Sequence, residues 1–482
     1  MKLTELLKDV ECTVQGNADI EIEGIYNDSR SVKPGGLFFC ISGFKTDGHK
    51  YAPMAVVNGA VCIVSTHLME LDCTQVIVKD DRLAMAEISA NFYGRPSEKI
   101  CLLGVTGTNG KTSTTYMLKN VLEGMGRKVG LIGTIENMIG SEHIHTERTT
   151  PESIDLQKLL HEMVEKGCDD VIMEVSSHSL VLKRVAGLKF TGAIFTNLTQ
   201  DHLDFHKTME AYAEAKAMLF KMSDVSVINT DDEYSGVMLK AAKGRVATFG
   251  IDKPADFRAQ NIELTPYGCK YDAVSEKYGN LKIDIGIPGK FTVYNTLGAA
   301  SLLKMLGIDD EHIHNGINGL KSVAGRFQRL DTRGGDYSVI LDYCHTPDSL
   351  ESTLKTVKGF AKGRVISIFG CGGNRDKLKR PIMGRISGEI ADFSIVTSDN
   401  PRYENPDDII DMIIPGLEES KGKYVRIENR REAIKYALEN AKKDDVIVLC
   451  GKGHEDYQEI CGVKYPFDEK TVVCEILDEL GR

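Results

Sequence analysis

The chain has 482 residues and a formal net charge of -11, with 59 basic and 70 acidic side chains. This length exceeds a single hydrophobic core and predicts two to four domains, because domains usually hold roughly 100 to 200 residues. The acidic balance argues against a nucleic-acid partner held by phosphate contacts, which would need a basic surface.

The N-terminal stretch and the cysteines indicate a soluble, cytoplasmic protein. MKLTELLKDVEC interrupts its apolar residues with Thr4, Glu5 and Lys8, which is typical of a first helix and not of a secretion signal. No apolar run approaches the roughly 18 residues of a membrane span, so no membrane is expected. Twelve cysteines occur without CxxC pairs, which favours reduced thiols over a disulfide scaffold.

Alternating strand-like and helix-like runs divide the chain into three blocks. Residues 1–98 end in the helical stretch RLAMAEISANFYG, which Gly94 and Pro96 close. Residues 99–331 run from ICLLGV to VAGRFQRL, and residues 332–482 begin near YSVILDYCHTPD. Strands that alternate with helices of this length predict parallel sheets with right-handed crossovers. We therefore expect an α/β protein with three domains, of which the first is small and the last is Rossmann-like.

The run GVTGTNGKTST, residues 104–114, predicts a phosphate-binding loop. It follows an apolar strand and precedes an amphipathic helix, so loop N–H groups and the helix N-terminus can surround a polyphosphate. Lys111 adds a positive charge and Thr112 a hydroxyl for Mg²⁺. The strict pattern needs glycine where Val105 stands, and a plain glycine turn is the alternative. The context favours a central domain of P-loop ATPase type that binds ATP.

Acidic and imidazole side chains follow the next strands. Glu174 ends a strand where an acid linked to Mg²⁺ usually stands in such folds. His202 and His206 have the i, i+4 spacing of a zinc pair, but the Glu of H-E-x-x-H and a third ligand are missing. Hydrogen-bonded structural histidines are an equal alternative. Lys216, taken alone, is typical of a solvated helix lysine.

Ten motifs, in this order, resemble those of the Mur ligases of peptidoglycan synthesis. They are TGTNGKT, EVSSH, TNLTQDHLDFH, YAEAKAMLF, FTVYNTLGAA, GRFQRL, LDYCHTPD, FGCGGNRDKLKRP, SDNPR and GKGHEDYQ. The resemblance spans almost the whole chain and implies an ATP-dependent ligase, which we expect to be a monomer. Such an enzyme would activate UDP-N-acetylmuramoyl-L-alanyl-D-glutamate as an acyl phosphate and extend it by one diamino acid.

The resemblance also implies the nucleotide and metal residues. ATP would be bound by Gly107, Thr108, Asn109, Gly110, Lys111, Thr112, Ser113, Thr114, Asn295, Arg326, Asp342 and His345. Mg²⁺ would lie near Thr112, Glu174, His202 and Lys216, and the last three with Lys111 would be catalytic. Asn295 would lie near the base, Arg326 near the phosphates and Asp342 near the ribose. A cap, a surface ion pair and a strand-end acid are their ordinary alternatives.

Lys216 matches a position that is carbamylated in this family. Carbamylation needs the neutral amine, so the resemblance implies a sheltered side chain with a lowered pKa. Because the nucleotide residues divide between the second and third blocks, the active site should lie between them and a closing motion should gate catalysis.

Contacts to the UDP-muramoyl dipeptide are implied for residues of the first two blocks. They are Ser29, with FKTDG nearby as a second nucleotide-sugar loop, and Thr149, Thr150, Ser176 and Arg184. The chain departs from the family pattern at Arg148, Leu182, Gln200, Cys344 and Asn374, none of which has an assigned chemical role.

Four polar loops in the third block follow apolar strands, namely DYCHTPD, GCGGNRDK, SDNPRYE and CGKGHED. The carboxyl ends of strands in an open parallel sheet share one crevice, so these loops predict one binding site, although each alone could be an ordinary turn. Arg375, Arg402 and Glu455 suit a ligand with two carboxylates and a distal ammonium, such as meso-diaminopimelate. The implied set is Arg375, Asp399, Asn400, Pro401, Arg402, Gly451 and Glu455.

Three alternatives remain at this point. L-Lysine could be the added amino acid, although it has no distal carboxylate to meet Arg402. A folylpolyglutamate synthase-like ligase performs related chemistry, but the first block and DNPR argue against it. A regulatory P-loop NTPase would hydrolyse ATP to drive a conformational switch.

Overall fold

The computed structural model describes residues 1–43, 46–146 and 148–482, which form three sheets and one separate hairpin. The three sheets follow the three blocks of the sequence. No helix in these three ranges is long and apolar enough to cross a membrane.

The N-terminal sheet has the strand order β1-β5-β4-β3-β2. Its strands are β1 Cys12–Gln15, β2 Gly24–Tyr26, β3 Gly36–Phe39, β4 Ala60–Ser65 and β5 Thr74–Val78, and its helices are α1 Leu3–Leu6, α2 Ala52–Val57 and α3 Asp81–Phe92. Among the described strands of this sheet, β1 runs antiparallel to β5 and the other pairs are parallel. The predicted helix before Gly94 is confirmed as α3, and the Asp80 carboxylate caps it by accepting from the Leu83 N–H.

In the described part of the chain, the central sheet has eleven strands in the order β16-β15-β14-β13-β12-β11-β6-β10-β7-β8-β9. They are β6 Cys101–Thr106, β7 Val129–Ile132, β8 Asn137–Ile139, β9 Glu142–Ile144, β10 Asp170–Glu174, β11 Phe190–Phe195, β12 Ser223–Asn229, β13 Arg245–Gly250, β14 Phe257–Thr265, β15 Gly268–Val274 and β16 Leu281–Ile285. The seven middle strands are parallel, as predicted. The edges differ, because β7-β8-β9 and β14-β15-β16 are antiparallel.

Helices cover both faces of the central sheet. They are α4 Lys111–Gly124, α5 Ser153–Glu165, α6 Ser177–Val181, α7 Leu203–His206, α8 Met209–Ala217, α9 Ser235–Ala241, α10 Lys290–Met305 and α11 Asp310–Gly319. Leu103 and Val105 on β6 pack into one core, and Leu102 packs into the other. A strand buried on both faces explains the continuous apolar run ahead of the phosphate-binding loop.

The C-terminal sheet has the order β17-β18-β22-β19-β20-β21. Its strands are β17 Gln328–Leu330, β18 Ser338–Asp342, β19 Val365–Phe369, β20 Phe393–Val396, β21 Tyr424–Arg426 and β22 Val446–Cys450, and a hairpin follows with β23 Tyr457–Ile460 and β24 Val463–Pro466. Its helices are α12 Pro347–Lys358, α13 Lys379–Ile390, α14 Pro406–Glu419, α15 Arg430–Glu439 and α16 Glu469–Glu479. Because β17 pairs with β18, residues 328–330 belong to the third sheet and not to the central one.

Strand register brings the predicted site loops together at the carboxyl ends of two sheets. Glu174 at the end of β10 is level with Val105 on β6, and Phe195 at the end of β11 is level with Thr106. In the third sheet the four polar loops follow β18, β22, β19 and β20, which are neighbours in that order. These loops therefore share one edge, as predicted.

A buried ion pair lies beneath two of these loops. Arg430 and Glu469 have no exposed side-chain surface, and Arg430 Nε donates to Glu469 Oε1 at 2.8 Å. Arg430 also donates to the carbonyls of Ser398 at 3.3 Å and Cys450 at 2.8 Å. One side chain thus joins the ends of β20 and β22 to the start of the last helix.

Candidate active site

A cavity of about 430 Å³ lies between the central and C-terminal domains. Most of the residues predicted to bind ATP line it, namely Thr108, Asn109, Gly110, Lys111, Thr112, Ser113, Asn295, Arg326, Asp342 and His345. Gly107 and Thr114 lie just outside this lining. The cavity is also lined by Glu174, His202 and Lys216, so the structure brings the predicted catalytic residues to one place.

The side chain of Lys111 forms hydrogen bonds within the phosphate-binding loop. Lys111 Nζ donates to the carbonyls of Gly107 at 2.9 Å and Thr108 at 2.8 Å. Gly110 has a φ of 87°, and a Cβ there would lie 2.3 Å from Asn295 Oδ1, so only glycine fits. Burial lowers the pKa of Lys111, which an anionic phosphate in the loop would counteract.

Arg326, Thr112 and Glu174 form a direct hydrogen-bonded chain at the mouth of the loop. Arg326 Nη2 donates to Thr112 Oγ1 at 3.0 Å, and Thr112 Oγ1 donates to Glu174 Oε1 at 3.0 Å. Thr134 also donates to Glu174, from its N–H at 2.9 Å and its hydroxyl at 3.0 Å. Within the described ranges, the buried Arg326 Nε has no hydrogen-bond partner, which leaves a donor for an anionic ligand.

The oxygen atoms at this point suit Mg²⁺. A hydroxyl and a carboxylate, Thr112 and Glu174, are the hard donors that this ion prefers. No set of three or more His, Cys, Asp or Glu side chains in the described part of the chain could hold a metal alone. A metal would therefore need donors of other kinds, such as Thr112, the substrate or a carbamylated lysine.

Lys216 is buried, contrary to what its residue type alone indicates. Its side chain is 1% exposed, its Nζ donates to the Gly107 carbonyl at 2.8 Å, and it lies 4.6 Å from the centre of the Tyr212 ring. Burial, reinforced by the charge of Lys111, lowers the pKa of Lys216 far below its ordinary value. The side chain thus meets the requirement for carbamylation that the family resemblance implies.

His202 and His206 do not form a zinc pair in this arrangement. His206 Nε2 bonds the Ser177 hydroxyl at 2.8 Å, which is a structural contact. His202 has a φ of 55° and lies 3.4 Å from Asp201 Oδ2. Burial lowers the pKa of His202 to about 3, so it is a neutral imidazole at physiological pH and keeps a lone pair for a metal.

Asp342 and His345 shape the C-terminal wall of the cavity. The Asp342 carboxylate accepts from the N–H groups of Phe327 at 2.6 Å and Cys344 at 3.0 Å, and from the Thr353 hydroxyl at 3.2 Å. His345 Nε2 lies 3.8 Å from Asp201 Oδ2 of the central domain. The ribose contact of Asp342 stays a prediction, since its two oxygens already hold the loop.

Side-chain hydrogen bonds also join the central and C-terminal domains. Asn109 Nδ2 donates to Asp348 Oδ2 at 2.8 Å, and Gln200 Nε2 donates to Asp376 Oδ2 at 3.3 Å. The first of these starts in the phosphate-binding loop itself. The position of the C-terminal domain is therefore tied to the loop that would hold the nucleotide.

The residues predicted to bind the muramoyl dipeptide lie beside Glu174, with the exception of Ser29. Thr150 Oγ1 donates to the Glu174 carbonyl at 2.9 Å, and Arg184 Nη1 donates to the Thr150 carbonyl at 3.2 Å. The hydroxyls of Thr149 and Thr134 lie 3.0 Å apart. Thr149 and Ser176 line the 430 Å³ cavity.

Ser29 lies in the N-terminal domain and lines neither this cavity nor a second one of about 520 Å³. The second cavity is lined by Asn27 of the N-terminal domain and by central residues that include Arg148 and Glu152. Phe44 and Lys45, in the predicted loop FKTDG, lie outside the described residues.

The loop that carries Arg402 is held tightly. Arg402 Nε donates to Glu459 Oε2 at 3.1 Å, and Nη1 donates to the Gly373 carbonyl at 3.0 Å. Its φ is 52°, a left-handed conformation that non-glycine residues rarely adopt. The Arg402 N–H donates to the Glu459 carbonyl at 3.0 Å, so the hairpin β23–β24 holds this conformation in place.

The other residues predicted to bind the added amino acid surround this arginine. Asn400 Nδ2 donates to Glu455 Oε2 at 2.8 Å, and a Cβ on Gly451 would lie 2.6 Å from Asp399 Oδ2. Arg375 is exposed and donates to the Asn374 carbonyl at 3.3 Å. Hydrogen bonds within the protein therefore fix Arg402, Glu455 and Asp399 before a ligand binds. Arg375 has fewer such contacts.

Glu404 links the loop after β20 to the loop after β19. Its carboxylate should make the stability of the fold depend on pH in the acid range. Hydrogen bonds from Arg380, with one from the Asn374 N–H and one from Lys377, lower the pKa of Glu404 to about 2. A carboxylate with a lowered pKa stabilises the fold above about pH 4.5, and this contribution is lost as the pH falls through about 2. We expect Glu404→Gln to lower the unfolding midpoint at neutral pH, by an amount that shrinks towards pH 2.

Thermal unfolding of Glu404→Gln from pH 7 to pH 2, beside the exposed Glu419→Gln as the matched control, measures this effect. A constant difference between Glu404→Gln and the parent across that range would contradict the role given to the charge.

Several residues of the site were missed by the sequence reasoning. They include Asp201, Thr134, Tyr212, Tyr343 and Asp348, all of which line the 430 Å³ cavity. Asp201 and Asp348 stand next to predicted residues in the motifs TNLTQDHLDFH and LDYCHTPD, so the motifs themselves were the available signal. Tyr343 packs 4.3 Å from the Arg326 guanidinium, a contact that only the folded chain shows.

Three protein-family models match the chain. The model described as Mur ligase middle domain covers residues 105–303, and Mur ligase, glutamate ligase domain covers residues 325–453. The third, Mur ligase family, catalytic domain, covers residues 21–93.

Curated relatives and a solved structure are similar over the full length. The chain is 50% identical over 486 residues to UDP-N-acetylmuramoyl-L-alanyl-D-glutamate--2,6-diaminopimelate ligase 1 of Clostridium acetobutylicum, covering 100% of both. It is 50% identical over 483 residues to the ligase named without the numeral in Caldanaerobacter subterraneus subsp. tengcongensis, covering 99% of both. A solved structure of a ligase with that name aligns with a TM-score of 0.71 at 29% identity, covering 100% of this chain and 99% of the other.

Proposed function

The chain belongs to the Mur ligase family, and from this premise we propose that it adds meso-diaminopimelate to UDP-N-acetylmuramoyl-L-alanyl-D-glutamate with ATP as co-substrate. It is an ATP-dependent peptide synthase of peptidoglycan precursor synthesis. The observation that carries the proposal is the chain of contacts from Arg326 through Thr112 to Glu174, which joins the phosphate-binding loop to the predicted dipeptide residues.

The protein binds and orients the two partners of the phosphoryl transfer. Lys111 and the loop N–H groups hold the ATP phosphates, and Arg326 adds its Nε, which has no hydrogen-bond partner among the described residues. Phosphoryl transfer depends on alignment and charge neutralisation more than on covalent help. Mg²⁺, when bound by Thr112 and Glu174, supplies part of this neutralisation, with His202 and carbamylated Lys216 as further ligands.

The substrate carboxylate is placed beside the γ-phosphate by the residues next to Glu174. The carboxylate attacks the γ-phosphorus, ADP leaves, and an acyl phosphate forms. Thr149, Thr150, Ser176 and Arg184 hold the dipeptide, where hydroxyls and a guanidinium suit its carboxylate and amide oxygens. Ser29 contacts the UDP-sugar from the N-terminal domain.

The amine then arrives from the C-terminal crevice. Arg402 and Arg375 bind the distal carboxylate of the amino acid, Glu455 binds its distal ammonium, and Asp399, Asn400, Pro401 and Gly451 form the surrounding wall. The reacting amine displaces phosphate from the acyl phosphate, which forms the amide bond and releases inorganic phosphate. Interdomain contacts such as Asn109 with Asp348 keep this crevice aligned with the nucleotide.

The same proposal includes the compartment, the oligomeric state and the partners of the enzyme. All twelve cysteines are free, which supports a reducing compartment, and we place the enzyme in the cytoplasm as a monomer. Its partners are small molecules, namely ATP, the UDP-muramoyl dipeptide and meso-diaminopimelate. No contact with nucleic acid or membrane enters the proposal.

The experiment that tests the proposal is a phosphate-release assay with each substrate omitted in turn. Release should require ATP, the UDP-muramoyl dipeptide and an amino acid together, and meso-diaminopimelate should exceed L-lysine and L-ornithine. Phosphate release without the other two substrates would favour a regulatory NTPase. Preference for L-lysine would replace the amino acid assigned here, and turnover of a folate with glutamate would favour the folylpolyglutamate synthase-like alternative.

A further inference from the structure

A fully buried lysine lies beneath the loops that we propose to bind the added amino acid, which together form the amino-acid crevice. Lys452 follows β22 and has no exposed side-chain surface. Its Nζ donates to Asn400 Oδ1 at 3.2 Å and to Glu455 Oε2 at 3.1 Å. A buried ammonium is costly unless it is paired, and no step of the proposed reaction uses this one. Its position between two ligand-binding residues therefore calls for an explanation.

The contacts of Lys452 leave one edge of Glu455 for a ligand. Asn400 Nδ2 donates at 2.8 Å to Oε2, the same oxygen that Lys452 contacts. In the ranges that the structure describes, Oε1 has no hydrogen-bond partner, and the Glu455 side chain is 15% exposed. The protein thus fixes one oxygen of the carboxylate and keeps the other accessible.

Lys452 also balances a second acid of the crevice. Burial alone would raise the pKa of Asp399, but the Lys452 and Arg430 cations hold it below its ordinary value. Without Lys452, two carboxylates would share a buried region with one cation fewer, and Glu455 would lose one of the two donors that orient its Oε2.

We propose that Lys452 is a positioning residue for the added amino acid: it holds Glu455 by Oε2 so that Oε1 meets the distal ammonium of the ligand. This inference rests on the proposed function, because it takes the ligand to carry a distal ammonium. A carboxylate fixed in advance loses less conformational entropy when it binds a ligand. The contact therefore favours ligands that carry the distal ammonium more strongly over ligands that lack it.

The test compares meso-diaminopimelate with 2-aminopimelate, which keeps the distal carboxylate and lacks the distal ammonium. Lys452→Met keeps an unbranched side chain, one atom shorter than lysine, and removes the charge. We expect its KM for meso-diaminopimelate to rise roughly ten- to a hundredfold, as for a lost hydrogen bond to a charged group. Its KM values for 2-aminopimelate and ATP should stay near those of the parent, so selectivity between the two amino acids falls.

Controls separate this role from a purely structural one. Lys452→Gln keeps a donor for Asn400 without the charge, and it should show the same loss of selectivity if the methionine variant does not fold. Lys464→Ala, at an exposed lysine of the adjacent hairpin, should retain the selectivity of the parent. In a Glu455→Ala background, Lys452→Met should remove no further selectivity.

The outcomes distinguish this inference from the proposed function. Equal losses for both amino acids in both Lys452 variants, or unchanged selectivity in both, would overturn the role of Lys452 while the parent still uses meso-diaminopimelate. A parent that uses neither amino acid would instead overturn the proposed function.

Discussion

Lys216→Ala should lower kcat by roughly 10²- to 10³-fold, the loss seen when one group that stabilises transition-state charge is removed. The side chain is buried at the phosphate-binding loop, where its carbamate would supply an anionic oxygen to Mg²⁺. An amine with a lowered pKa is neutral more often, so it can attack carbon dioxide and release a proton to give the carbamate.

The fold should survive this substitution. Because the pKa of Lys216 is lowered on folding, the ammonium form is disfavoured in the native state, and this destabilisation weakens as the pH rises. Without bicarbonate at neutral pH, Lys216→Ala should therefore unfold at or above the midpoint of the parent. A large fall in that midpoint would attribute the lost activity to unfolding.

Mass spectrometry and activity assays check the role of Lys216. Native mass spectrometry in bicarbonate should show one added carbon dioxide on the parent and none on Lys216→Arg, which cannot form the carbamate. Lys221→Ala, at an exposed lysine just after the same helix, is the matched control and should keep full activity. Full activity of Lys216→Ala would refute the assignment, as would an unmodified parent of normal activity.

Arg402→Ala should raise the KM for meso-diaminopimelate roughly 10- to 150-fold and leave the KM for ATP unchanged. A hydrogen bond to a charged group contributes about 1.5–3 kcal/mol, which corresponds to that factor. Glu459 and the Gly373 carbonyl engage Nε and Nη1 of this guanidinium, so a ligand carboxylate must approach its Nη side. The nucleotide cavity is not lined by Arg402, which is why ATP binding should be spared.

Steady-state kinetics with each substrate varied in turn measure this effect. Arg402→Lys should recover only part of the affinity, because an ammonium cannot offer the two parallel hydrogen bonds of a guanidinium. Arg426→Ala, at a surface arginine of the same domain that pairs with Asp407, is the control. Better turnover of L-lysine than of meso-diaminopimelate by the parent would show that Arg402 has another role.

The sequence predicts the phosphate-binding loop well because its determinants are local. Glycines at 107 and 110 permit φ values that other residues avoid, and Lys111 and Thr112 follow at the helix start. Strand ends are similarly local, so the four polar loops of the third block could be placed along one edge. Alternation of elements does not reveal orientation at a sheet edge, which is why the antiparallel strands β8–β9 and β15–β16 were not predicted.

Burial and partner choice could not be predicted from the residues alone. Lys216 lies on the alanine-rich helix α8, whose composition gives no clear buried face, and its burial depends on the distant Gly107 and Tyr212. The sequence shows Arg402 between prolines, but not that residues 57 positions later would hold its Nε. Contacts between residues far apart in the chain decide both features, and residue type carries little information about them.

The Arg430–Glu469 pair has a practical consequence for handling this protein. Glu469 is the first residue of the last helix, so removal of residues 469–482 would take away the carboxylate that pairs with Arg430 together with the buried side chains of that helix. The carbonyls of Ser398 and Cys450 would then lose a rigid common donor, and the loops at 399–402 and 451–455 could drift apart. Shortened versions for crystallisation should therefore keep residues 469–482.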